Sequence, residues 1–146
     1  MGLSRVIALV ALACGSAGCG KTLVEGPPVT WQTDIDLALS QARAQDKQLL
    51  VYFGASWDCA AKELEHVTFT DPEVRVLLRR GFVSVYVDSS DDEDPHTRQL
   101  QERFKVVGDP TVILLANDGT TERLRFNEFV QPRAFARTLG SAMRAD

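Results

Sequence analysis

The sequence predicts an α/β domain: a central mixed sheet of parallel strands closed by a C-terminal antiparallel hairpin, with helices on both faces. Three observations carry this prediction. Two apolar runs of strand length, Gln48 to Gly54 and Phe82 to Val87, are separated by helical patterns, and such alternation implies right-handed parallel crossovers. Asn117-Asp118-Gly119-Thr120 lies between two further strand-like runs, and Asp-Gly at such a place is a strong hairpin signal. The chain has 146 residues, 45% hydrophobic and 25% charged, enough for one domain with an ordinary globular core.

The elements follow in chain order. Thr33 with Asp36 three residues on reads as a capping box. Ile35, Ala38, Leu39 and Ala42 then share one helical face, and the helix ends near Asp46. The run from Gln48 to Gly54 suits a strand covered on both sides. Trp57 to His66 reads as helical, with Leu64 apolar among Lys62, Glu63 and Glu65. Asp71-Pro72 is a helix start, cap residue then proline, with Val74, Leu77 and Leu78 as the buried stripe and Gly81 as the stop. Phe82 to Val87 is the next strand. Asp88 to Asp94 is an acidic loop without the spaced ligands and glycine of a calcium loop; its last member, Asp94, caps a helix from Pro95 whose inward pair is Leu100 and Phe104. Thr111 to Leu115 and Glu122 to Phe126 are the hairpin strands. Pro132 opens the last helix, with Phe135, Leu139 and Met143 at spacings of four.

The first 19 residues have a different character. Arg5 precedes an unbroken apolar run from Val6 to Ala13, and small residues follow up to Cys19. This is the pattern of a secretory signal, too short for a stable membrane span. Ser16-Ala17-Gly18-Cys19 resembles a bacterial lipobox, which implies cleavage before Cys19 and acylation of its thiol; Cys14, after Ala11-Leu12-Ala13, is the alternative processing site. The expected organisation is a signal over 1–19, a tether over 20–29 stiffened by Pro27-Pro28, and a folded domain over 30–146. The expected location is a bacterial membrane, facing the periplasm or extracytoplasmic space. Of three cysteines, only Cys59 lies in the folded part, so no cysteine pair is available there for a dithiol–disulfide cycle.

Several functions are disfavoured. A net charge of -4 gives no electrostatic reason to bind nucleic acid. The stretch Gly15 to Thr22 matches the phosphate-loop pattern GxxxxGKT letter for letter. That loop must lead directly into a helix whose N-terminus faces the phosphates. Here it runs into Gly26-Pro27-Pro28, which cannot continue a helix, so no nucleotide is expected. Cys59 and His66, seven residues apart in the sequence, do not make a metal site. His96, in a first helical turn, reads as solvated. Asp58 and Asp109 are a weak acid–base pair. No cofactor is expected.

One stretch carries a resemblance. Trp57-Asp58-Cys59-Ala60-Ala61-Lys62-Glu63-Leu64-Glu65, then Thr68-Phe69-Thr70-Asp71-Pro72-Glu73-Val74, then Gly108-Asp109-Pro110-Thr111, occur in this order. They resemble the thioredoxin-like family, and within it the C-terminal thioredoxin-like domain of the interchange protein DsbD and its small exported relatives. There the first segment runs roughly W-C-x-x-C-K-E-x-E and the second T-F-x-D-P-x-V. The resemblance covers about residues 30 to 142. It implies a thioredoxin fold, thiol–disulfide interchange chemistry, a cis Pro110, and a docking loop at Asp109, Pro110 and Thr111 for an extended peptide.

The departure falls on the chemistry. With Lys62 to Glu65 in register, Asp58 stands at the attacking cysteine's place and Ala61 at the resolving cysteine's place. Cys59 lies between them, and a one-residue slip puts Lys62 where the second cysteine belongs. A reactive thiolate of this type is stabilised by unpaired N–H groups at a helix N-terminus. Asp58 is a good N-cap and would accept those N–H groups itself. Cys59 would sit about 100° further round the helix, pointing away from an arriving sulfur, and with acidic neighbours it is expected to be a slow nucleophile. Trp57 reads as a packing residue beside the site and Lys62 as a surface charge. The expected function is a redox-silent module that binds a protein or extended peptide and is held to a membrane by its lipid. The alternative is a monothiol oxidoreductase working through mixed disulfides at Cys59.

Overall fold

In the computed structural model the described residues are 28–145. The signal segment, Cys14, Cys19, the GxxxxGKT stretch and most of the tether lie outside them. A five-stranded sheet forms in the order β1-β3-β2-β4-β5, from β1 (Trp31–Gln32), β2 (Gln48–Gly54), β3 (Phe82–Asp88), β4 (Thr111–Leu115) and β5 (Glu122–Phe126). The first three strands are mutually parallel; β4 runs antiparallel to β2, and β5 antiparallel to β4. The helices are α1 (Ile35–Ala44), α2 (Cys59–Glu63) continued by a π-helical turn (Leu64–Thr68), α3 (Pro72–Gly81), α4 (Pro95–Phe104) and α5 (Pro132–Ala142).

The sheet divides the core into two layers because side chains alternate along a strand. Leu49, Val51 and Phe53 of β2 face Ile35, Ala38 and Ala42 of α1 and Leu100 and Phe104 of α4. Leu50 and Tyr52 face Leu64, Val74 and Leu78, together with Phe135 and Leu139 of α5. Every residue of β2 is buried, which explains why its sequence is apolar without alternation. Burying a Leu or Phe side chain of this kind contributes about 1.5–3 kcal/mol.

Most helix starts are set by single carboxylates. Asp71 accepts from the backbone N–H groups of Glu73 and Val74, and Asp94 from that of Thr97, each just before a proline as the sequence predicts. The first helix differs: its cap is Asp34, which accepts from the N–H groups of Asp36 and Leu37, and the Thr33–Asp36 capping box does not form. Asp34 is one residue nearer the helix and reaches both N–H groups at 3.0 Å. That helix ends at Ala44, and Asp46 turns out of it with φ of 51°. The second helix starts at Cys59 rather than Trp57 and widens into a π turn reaching Thr68. The edge strand β1, too short to show a period, is an element that the sequence pattern misses.

Candidate functional site

The site lies where β2 ends and the chain turns into α2, at the carboxyl edge of the parallel strands, where α/β sheets place their ligands. The turn is tied to the end of β3. The Gly54 carbonyl accepts from the Ser89 N–H at 3.1 Å and from the Tyr86 hydroxyl at 3.2 Å. The Ser56 N–H donates to Ser90 Oγ at 2.8 Å, and that hydroxyl donates to Asp88 Oδ1. The acidic loop is thus partly structural: Ser89, read from sequence as part of a solvated run, is fully buried.

Asp58 occupies the N-cap of α2. Its extended backbone (φ -85°, ψ 126°) aims the side chain back along the helix, and Oδ1 accepts from the Ala61 N–H at 2.7 Å. A capping bond of this kind is worth about 1 kcal/mol. Ala61 is buried, and its carbonyl accepts from the Tyr52 hydroxyl at 3.3 Å. Cys59 is exposed and unpaired, the one cysteine among the described residues. Lys62 is exposed, as expected of a surface charge. Trp57 is 60% exposed, so the packing role expected of it is not what the structure shows: the turn ahead of Asp58 carries the indole outward.

The Asp109-Pro110-Thr111 loop leads into β4, whose Thr111 pairs with Phe53 at the same end of β2. The Asp109–Pro110 peptide is cis. Pro110 and Thr111 are buried, and Thr111 Oγ1 donates to the Gly108 carbonyl at 2.7 Å, with Asn127 Oδ1 at 3.2 Å. Asp109 is half-buried and accepts from the Ser89 hydroxyl at 2.5 Å. Burial holds its carboxyl above the ordinary carboxylate range; the Ser89 hydrogen bond opposes this, and the negative charges of Asp58, Asp92 and Asp88 add to it. The charge of Asp58 is thus felt at Asp109. His66 and His96 are exposed, and among the described residues no group of three or more His, Cys, Asp or Glu is arranged to hold a metal ion. No helix of the described residues is long and apolar enough to cross a membrane.

Sequence reasoning missed the residues behind the site. Tyr52 and Tyr86 are directly paired across β2 and β3, and Glu65 accepts from the Tyr52 hydroxyl at 3.0 Å. Only the strand register brings these together, and no spacing in the sequence encodes it.

The arrangement has consequences for chemistry. At this helix start the Ala61 N–H is already engaged by a fixed carboxylate. The following sulfur is solvent-facing, and the neighbouring buried position carries a methyl group.

Comparison with known proteins places this geometry. A family model described as thioredoxin-like matches residues 30–117. The thiol:disulfide interchange protein DsbD of Ralstonia nicotianae is 30% identical over 114 residues, covering 76% of this chain and 18% of that protein. The chain thus spans under a fifth of that relative's length. A thioredoxin from Thermus thermophilus superposes with a TM-score of 0.67 at 23% identity, over 78% of this chain and 87% of that one. The oxidised C-terminal domain of Neisseria meningitidis DsbD gives 0.62 at 23% identity, over 77% and 98%. These two likenesses establish the thioredoxin fold.

Proposed function

The chain belongs to the thioredoxin-like family, and from that premise we propose that it is a redox-silent docking module, exported and anchored through a lipid on Cys19. It binds an extended protein segment against the Asp109-Pro110-Thr111 edge. One observation carries this reading: Asp58, at the attacking cysteine's place, caps α2 by accepting from the Ala61 N–H at 2.7 Å. Backbone N–H groups at a helix start lower a cysteine's pKa and hold its thiolate. Here a carboxyl side chain takes that role, and it cannot form a disulfide. Peptide docking by main-chain hydrogen bonds requires no sulfur. Anchoring is supported by Arg5, the apolar run Val6 to Ala13 and the small residues before Cys19.

The alternative is a monothiol activity, and the exposure of Cys59 is the observation in its favour. Reduced lysozyme with all its sulfurs blocked by carboxamidomethylation, an unfolded basic polypeptide, separates the two. It should bind wild type and Cys59→Ser equally, with the Thr111 backbone amide shifting in the NMR spectrum. Binding lost in Cys59→Ser, or absent until the lysozyme sulfurs are left free to react, would overturn the docking reading. For the anchor, labelled fatty acid should mark wild type in bacterial cells and leave Cys19→Ser unmarked; equal labelling of both would remove it.

A further inference from the structure

A second feature of the sheet is an open cleft of about 260 Å³ lined, among the described residues, by Trp31, Tyr52, Glu65, Phe69 and Tyr86. Its floor is the buried Tyr52 and Phe69, and its walls are the half-buried Trp31 and Tyr86. The Trp31 and Tyr86 rings meet at 65° with centroids 6.3 Å apart, so they form a corner rather than a stack. Tyr52 stacks on Tyr86 at 5.4 Å, and Trp31 stands edge-on to Phe69 at 5.1 Å. These contacts hold the corner rigid. The Glu65 carboxylate reaches the same cleft, fixed through Oε1 by the Tyr52 hydroxyl at 3.0 Å.

The cleft's charge is one-sided. Among the described residues that line it, none is basic. Aromatic faces carry negative potential, and Glu65 adds a carboxyl group. The Tyr86 hydroxyl is pushed up to about 12, by burial first and then by Asp88, Glu65 and Asp109. Asp109 also acts on Tyr52, so the cleft and the docking loop lie in one negative field. Aromatic faces with a carboxylate, and no cation of their own, complement a partly desolvated cation.

We propose that this cleft receives an arginine or lysine side chain of the docked segment, its cationic head against Trp31 and Tyr86 and paired with Glu65. The inference rests on the docking reading and gives it a specificity: the segment bound at Thr111 is basic.

The test is an NMR titration of the full-length chain with the capped pentapeptide Ala-Ala-Arg-Ala-Ala and its norleucine counterpart. Two signals are read, the Trp31 indole N–H and the Thr111 amide. The arginine peptide should move both and bind roughly tenfold tighter than the norleucine peptide. Glu65→Gln keeps an oxygen to accept the Tyr52 hydroxyl and should cut that preference about fivefold. Equal affinity for the two peptides overturns the inference. So does a preference unchanged in both Glu65→Gln and Trp31→Phe, or glycerophosphocholine moving the Trp31 signal at lower concentration than the arginine peptide. The two readings fail separately. If both peptides shift Thr111 alike and leave Trp31 unmoved, docking stands and the cation site is lost. If the arginine peptide shifts Trp31 alone, the cation site stands and the docking loop is lost.

Discussion

At the scale of single residues, the site is governed by two carboxylates in different roles. Asp58 is satisfied by a backbone N–H and stabilises the start of α2. Asp109 is held in place at an electrostatic cost. Burial and the charges of Asp58, Asp92 and Asp88 raise its carboxyl above the ordinary range, against the pull of the Ser89 hydroxyl. A raised acid binds its proton more tightly in the native state than in the unfolded chain. Its contribution to stability is therefore most favourable below the unfolded value, near 3.9, and declines as pH rises through the raised native value. Asp109→Asn keeps an oxygen for Ser89 and removes the charge. We expect its urea midpoint to exceed wild type at pH 7, with the difference closing at pH 3.5. A midpoint at pH 7 equal to or below that of wild type would contradict this assignment. The acid cluster was legible in sequence, but the Ser89 bond was not, because a serine in an acidic run looks like any solvated residue.

At the scale of elements, β2 shows what periodicity can and cannot reveal. Its apolar run announced a strand covered on both faces, and the structure agrees. The run did not announce that Tyr52 lies across Gly54, two residues on and on the same face. A Cβ at Gly54 would overlap the Tyr52 hydroxyl. That hydroxyl is engaged by the Ala61 carbonyl and Glu65, so it cannot move aside without losing both bonds. Gly54→Ala is expected to cost about 1–3 kcal/mol, the usual range for overpacking a core, read from chemical denaturation. Gly54→Ala in a Tyr52→Phe background should cost less, since the oxygen is gone and the ring carbon that still overlaps can shift without breaking a hydrogen bond. The helix starts at Asp71 and Asp94 were legible because a cap residue followed by proline is a local signal. The first cap was misplaced by one residue, since Thr33 and Asp34 are both good caps and only the backbone decides between them. The π turn after α2 has no residue signature of this kind.

At the scale of the whole molecule, the α/β class, the mixed sheet and the closing hairpin were legible because they rest on alternation, run length and one turn dipeptide. The edge strand β1 was not, because two residues carry no period. The cleft was not, because the described side chains that line it come from three strands and the π turn region and meet only through strand register. The fold sets a cis-proline loop and an aromatic corner on one sheet, with one exposed thiol among the described residues. The most direct measurement is catalytic turnover of insulin disulfides by the full-length chain with dithiothreitol as reductant, for wild type beside Cys59→Ser. The account predicts that both run at the uncatalysed rate and cannot be told apart; turnover by wild type that disappears in Cys59→Ser would contradict it.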